Sequence, residues 1–139
     1  YNLSVLYEDD VVEAVRLYLK SDGWAISSVA LATQTGDDLV ATRSGRRLII
    51  EAKGEGSSKE HTNRFGMPFN GGQATSHVAV AVDRALAVVS KGDSVAGLAF
   101  PDNLHHRQRI NRIAPALSRL GVVVFWVAAD LTVDVQGEL

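Results

Sequence analysis

The segment from Val122 to Ala128 runs through seven residues without a charged side chain. A half-exposed strand alternates apolar and polar residues, so an unbroken apolar run of this length needs cover on both faces. Val95 to Phe100 reads the same way, closed by Pro101, and Leu48, Ile49, Ile50 and Ala52 make a third apolar stretch around Glu51. Strands of this kind belong to a sheet with helices on either side, and the intervening segments have helical periodicity. Val11, Val12, Val15 and Leu19 form one stripe in a helix expected over 6–21 and ended by Gly23. Val78, Val82, Ala85 and Val89 mark a second helix over 73–89, and 103–120 is expected to be a third, ended by Gly121 and kinked at Pro115.

The remaining strands are expected at 24–32, 38–42 and 47–53, with a short final one at 131–135. The order is helix, three strands, helix, strand, helix, strand. It predicts a three-layer α/β sandwich with a mixed central sheet, one domain spanning 1–139. The polar, glycine-rich stretch from Gly54 to Gly72 is long for a connection and is expected to be functional or mobile.

Several chemistries are excluded. The chain has no cysteine, which removes disulfides, cysteine zinc sites and cysteine nucleophiles, and fits a reducing, cytoplasmic setting. There is no G-x-x-x-x-G-K-[ST] phosphate loop, no G-x-G-x-x-G after a strand and no G-x-S-x-G elbow. The longest apolar run, Gly121 to Ala129, is too short for a bilayer, so no membrane partner is expected. The formal net charge of −2 argues mildly against a nucleic-acid partner, but the charge is segregated. Arg107, Arg109, Arg112 and Arg119 lie in a stretch without acids, and Arg43, Arg46, Arg47, Lys53, Lys59 and Arg64 form a second basic group. A basic face is therefore permitted.

The chemistry concentrates in Gly36-Asp37-Asp38-Leu39 and Ile50-Glu51-Ala52-Lys53-Gly54. Residues two apart on a strand share a face, so Glu51 and Lys53 point the same way. A two-residue turn at Ser44-Gly45 pairs Arg43 with Arg46 and brings Asp38 opposite Glu51; a three-residue loop would bring Asp37 there instead. Opposed side chains have Cβ atoms about 5 Å apart, and two carboxylates at that spacing destabilise a strand pair unless a cation compensates. Mg²⁺, with Mn²⁺ as a substitute, suits one or two carboxylates completed by water and phosphate oxygens. Asp38, Glu51 and the Ala52 carbonyl would then hold the metal, and Lys53 would orient water or stabilise developing negative charge. On a helical wheel Glu8 falls in the middle of the first apolar stripe. It is either a first-turn residue complementing the dipole or a third carboxylate aimed at the same place.

These residues resemble the PD-(D/E)XK phosphodiesterase superfamily, which includes restriction endonucleases, Mrr-like enzymes and Holliday-junction resolvases. The match runs from Tyr7-Glu8 through Gly23-Trp24 and Gly36-Asp37-Asp38-Leu39 to Ile50-Glu51-Ala52-Lys53-Gly54. Asp37 stands where the family motif has proline. The resemblance implies a restriction-endonuclease-like αβββαβ core and metal-dependent endonucleolytic hydrolysis of DNA. It implies a catalytic set of Asp38, Glu51 and Lys53, assisted by Glu8 and by Gln73 in the second helix. Lys59, Arg64, Arg107, Arg109 and Arg112 are candidate phosphate contacts. His77 reads as a packing or capping residue, and His61, His105 and His106 as loop or surface histidines. Pro68-Phe69-Asn70 reads as an anchoring turn. A domain this small has limited surface for reading a sequence, so a homodimer is plausible. The rival expectations are a non-catalytic nucleic-acid-binding module on the same fold, and a structural domain with no nucleic-acid partner.

Overall fold

A computed structural model of the chain describes residues 5–31, 36–55 and 71–139. Its elements are α1 (Glu8–Ser21), β1 (Ala25–Val29), β2 (Leu39–Arg43), β3 (Arg46–Ala52), α2 (Gly71–Lys91), β4 (Val95–Pro101), α3 (Leu104–Asn111), α4 (Ala114–Arg119), β5 (Val123–Val127) and β6 (Val133–Gln136). All six strands form one mixed sheet in the order β1-β2-β3-β4-β5-β6. The β1–β2, β2–β3 and β5–β6 pairs are antiparallel, and β3–β4 and β4–β5 are parallel.

Strand composition follows position in the sheet. Every residue of β5 is buried, and in β4 only Val95 is less than fully buried. The edge strand β1 keeps three of its five residues exposed and carries an irregularity between Ile26 and Ser28. A bulge of this kind twists an edge away from pairing with other chains.

The alternation of side chains divides the core in two. Leu39, Leu48, Ile50, Ala99, Phe125 and Val127 meet α1 through Val11, Val12, Val15 and Leu19. Leu98, Phe100, Val124 and Trp126 meet α2, α3 and α4 through Val78, Ala81, Ala85, Ile110 and Leu117. The architecture is thus a mixed sheet between helical layers, as the apolar runs require. Alanines at 74, 81 and 85 on the buried side of α2 leave room for the helix against the strands.

The strands and the end of α2 shift by one to three residues from the sequence expectation, and three helix boundaries differ in ways that matter. The helix expected over 103–120 is two helices. Pro115 cannot donate to the Asn111 carbonyl and its ring would strike it, so α3 stops at Asn111 and α4 restarts with proline in its first turn. Gly71 and Gly72 belong to α2 rather than to the preceding stretch. The first helix starts at Glu8, where Tyr7 N–H donates to the Asp10 carboxylate at 2.9 Å, half of a capping box. Lys59, His61, Arg64 and Pro68-Phe69-Asn70 lie outside the described residues.

One close approach fixes how α1 meets the sheet. A Cβ added at Gly54 would lie 2.4 Å from the Glu8 backbone nitrogen and 2.7 Å from the Tyr7 carbonyl carbon. Both are main-chain atoms, so neither can rotate away. Gly54→Ala is expected to lower stability by about 2 kcal/mol or more, through displacement of α1. Urea unfolding monitored by the fluorescence of the two buried tryptophans, Trp24 and Trp126, measures it; a loss under about 0.5 kcal/mol would show that this contact is soft.

Candidate active site

The β2–β3 hairpin sets the site. Ser44 and Gly45 both adopt positive φ, 50° and 77°, as a two-residue turn matching strand twist demands. Arg43 pairs with Arg46, and the register continues without interruption to Leu39 with Ile50. One step further, Asp38 stands across from Glu51. The alternative turn that would have placed Asp37 there is not the one adopted. Asp38 is buried, and Asp37 is exposed on the groove wall.

Asp38 does not simply face Glu51. Its Oδ2 accepts a 2.7 Å hydrogen bond from the Ala52 amide, in the position of the next ladder bond. A residue's amide and carbonyl lie on the same side of an antiparallel strand, so the Ala52 carbonyl is also directed toward the Asp38 side. Lys53 is anchored from the other direction, its amide donating to the Ala99 carbonyl at 3.0 Å.

Glu51 is the centre of an ion-pair network. Its Oε2 lies 3.5 Å from Lys53 Nζ and 3.1 Å from a guanidinium nitrogen of Arg84 on α2. Sequence reasoning did not single out Arg84, which sits on a helix face with nothing local to mark it. Glu8, at the start of α1, is half-buried and within electrostatic reach of Lys53, Glu51 and Arg84. The placement fits the inward-facing reading of this residue. Among the described residues, no three His, Cys, Asp or Glu side chains converge closely enough to hold an ion by themselves. A cation here would rest on two carboxylates and backbone oxygen, with Glu8 further out.

Burial, and after it the crowding of acids, shows in their titration. Burial pushes the Asp38 carboxyl up to about 7; Glu51 and Glu8 add to the rise, and the Ala52 hydrogen bond and Lys53 oppose it. Burial also raises Glu8, with Glu51 and Asp9 contributing and Lys53 and Arg84 opposing.

A clasp that the sequence did not reveal holds these parts together. The Glu55 amide donates to the Leu6 carbonyl at 2.8 Å, and Glu55 Oε1 accepts from the Leu6 amide at 2.9 Å. Its Oε2 accepts from Asn103 Nδ2 at 2.7 Å, while Asn103 Oδ1 caps α3 by accepting from the His106 amide at 3.0 Å. The end of β3, the approach to α1 and the start of α3 are thereby tied at one point. His106 belongs to this arrangement and is not a surface residue as expected. It is 1% exposed, its Nδ1 lies 2.9 Å from Asn103 Oδ1, and its ring stacks on Phe100 at 5.3 Å. Burial drives its pKa down to about 4, with His77 and His105 contributing, so the ring is neutral at physiological pH. His77 is half-buried on α2, and its pKa is also lowered to about 4, by burial and then by Lys53.

The other expected residues are placed less centrally. Gln73 is half-buried in the first turn of α2, three helical turns or about 16 Å along the axis from Arg84. Arg107 is committed elsewhere. It makes 2.7 and 2.9 Å bonds to Asp102 and lies 4.2 Å from the Trp126 ring centre, on a strand two removed from β3. Arg109 is half-buried on α3, and Arg112 is exposed just past it. A groove of about 490 Å³ opens instead beside Glu51, between β3 and α2, lined by Arg47, Arg84, Lys91, Asp37, Asp93 and Gly97 among others.

Comparison with protein-family models and with curated proteins finds no match for this chain.

A carboxyl that titrates higher in the folded chain than in the unfolded one binds its proton more tightly when folded. Its contribution to stability is present at low pH and is lost as pH rises from about 4 through about 7. Asp38→Asn removes the charge and keeps an oxygen for the Ala52 amide. The variant is expected to gain stability relative to the native chain between about pH 5 and pH 8. Urea unfolding across that range measures the difference; a flat difference would show that Asp38 is comfortable as an anion.

Proposed function

We propose that this chain is a metal-dependent phosphodiesterase of the restriction-endonuclease-like, PD-(D/E)XK kind, hydrolysing DNA. The observation that carries the reading is a buried Asp38 set across from Glu51, with Lys53 on the same face. A carboxylate is rarely buried without a partner, and here a second one stands opposite it. The order α1, β1–β2–β3 meander, α2, and β4 parallel to β3 agrees with the αβββαβ core that the motif implies. The position of Glu8 supports the same reading.

The donor set fits a hard divalent cation. Asp38 and Glu51 offer carboxylate oxygens, the Ala52 carbonyl lies on the Asp38 side, and burial first, then the neighbouring acids, raise the pKa of Asp38, so its anion lacks a compensating cation. Mg²⁺ or Mn²⁺ held there would supply the Lewis acidity that phosphodiester hydrolysis needs near neutral pH. The residues themselves do the rest. The Ala52 amide fixes the Asp38 carboxylate before substrate arrives, so no reorganisation is needed at that oxygen. Lys53, only 15% exposed at its side chain, brings a cation close to Glu51 where it can orient water or meet charge developing on a phosphate oxygen. A proton on Asp38 would compete with the cation, so activity at limiting Mg²⁺ is expected to rise with pH through the neutral range, and excess Mg²⁺ to flatten that rise.

A non-catalytic binding module on the same fold is the second reading. One observation favours it: Lys53 and Arg84 already place two cations on Glu51 Oε2. The two readings separate in one assay, incubation of supercoiled, linear, single-stranded and branched DNA with Mg²⁺ or Mn²⁺. Cleavage is expected, and Glu51→Gln and Lys53→Ala are each expected to reduce it by about 100-fold or more. Binding without cleavage in any divalent metal would transfer the assignment to the binding module, and absence of any salt-sensitive DNA binding would remove both.

A further inference from the structure

Arg84 is unusual in its setting. Its side chain is 58% exposed, yet it reaches a glutamate that is 9% exposed. Holding a long, solvated side chain in one position costs rotamer entropy, and an ion pair between two exposed groups returns little for it. The return here is larger because Glu51 is buried beside Asp38 and near Glu8, where anionic charge lacks water. Lys53 Nζ, at 3.5 Å, is too distant to satisfy that oxygen alone. Arg84 makes the shorter contact, at 3.1 Å.

The groove gives Arg84 somewhere else to go. Arg47 and Lys91 line the same groove. Arg47 is held there by Ser94 Oγ at 2.7 Å and Asp93 at 3.3 Å. Lys91 lies two helical turns from Arg84, about 10 Å along α2. Three cations, Arg47, Arg84 and Lys91, thus line a groove that also carries Asp37 and Asp93, and a guanidinium is well shaped to grip a phosphate with two parallel hydrogen bonds.

We propose that Arg84 exchanges partners: it neutralises Glu51 while the carboxylates lack a divalent cation, and it binds a DNA backbone phosphate in the groove once Glu51 is engaged by one. This rests on the metal-dependent reading of the site. Arg84 is then both a competitor of the cation and a contact for the substrate, and its removal has effects of opposite sign. A merely structural arginine would not give that signature, because loosening the site would weaken both ligands together.

The experiment is calorimetric titration of the intact chain with Mn²⁺, paired with fluorescence anisotropy of a labelled DNA duplex in Ca²⁺ over a salt series. It compares the native chain, Arg84→Gln, Arg84→Lys and Glu51→Gln. Glutamine is a good helix former, so the exposed substitution leaves α2 intact, which circular dichroism verifies. Arg84→Gln is expected to bind Mn²⁺ about threefold to tenfold more tightly and DNA about tenfold more weakly. The slope of log affinity against log salt is expected to shrink by about 0.9, one phosphate contact. Arg84→Lys, which keeps the charge, is expected to fall between. Mn²⁺ binding that depends on Glu51 but is unchanged or weakened in Arg84→Gln overturns the exchange and leaves the metal site standing. Tighter metal binding with unchanged DNA affinity overturns the phosphate role. A native chain that binds no Mn²⁺ overturns the metal reading and this inference together.

Discussion

The hydrogen bond from the Ala52 amide to the Asp38 carboxylate sits where main-chain pairing between β2 and β3 gives way to side-chain chemistry. Had the ladder continued, that amide would have met a carbonyl from the residue before Asp38. A side-chain oxygen takes the bond instead, so strand pairing ends with a carboxylate fixed across from Glu51. The amide lowers the energy of the Asp38 anion, while burial and the neighbouring acids raise it by more. The remaining features of this end of the sheet follow from that imbalance. Lys53 and Arg84 converge on one oxygen of Glu51, and Glu8 stays partly protected at the start of α1.

Such a site is intrinsically destabilising, and the surrounding scaffold offsets it. Gly54 allows the main chain at the start of α1 to sit against the end of β3, closer than any residue with a side chain permits. Glu55 then bonds to both polar groups of Leu6 and reaches Asn103. These contacts involve the main chain at nearly every step, so they hold positions to within the tolerance of a hydrogen bond. Below them lies a sheet whose central strands are apolar on both faces. The opposed charges are thus confined to one end of the sheet, where both carboxylates are buried beside the groove.

The hairpin register was legible in the sequence only as one of two counts, with Asp38 or Asp37 across from Glu51; the two positive φ angles at Ser44 and Gly45, which composition does not dictate, select the two-residue turn and Asp38. The phase of Glu8 within the apolar stripe was legible, since helical periodicity fixes it relative to Val11 and Val15, but the choice between a first-turn residue and a third carboxylate was not. Arg84 was not. It lies 33 residues from Glu51, and its contact depends on where α2 crosses the sheet, a distance set by the small residues beneath it rather than by any pattern around Arg84. The Glu55–Asn103 link spans 48 residues and was hidden for the same reason. His106 was misread because a histidine beside another histidine and an arginine looks solvated. Its burial follows from its place in the first turn of α3, held by Asn103 and stacked on Phe100 of β4.

A net charge of −2 sits awkwardly with a polyanionic partner until the charges are placed. The groove beside the site carries Arg47, Arg84 and Lys91 against Asp37, Glu51 and Asp93, a formal balance of zero. In that state its field offers a phosphate backbone little attraction, and Arg84 is spent on Glu51. A divalent cation on the carboxylates would change the local balance by two charges and release the guanidinium, turning a neutral groove into a cationic one. Nucleic-acid affinity would then be governed by occupancy of the carboxylates rather than by the composition of the chain, and by linkage the substrate would tighten the cation by the same factor. An acidic overall charge is compatible with such a protein because the attraction is local and conditional. Debye screening over about 8 Å at physiological salt separates the groove from acids elsewhere on the surface, such as Glu13 and Glu138.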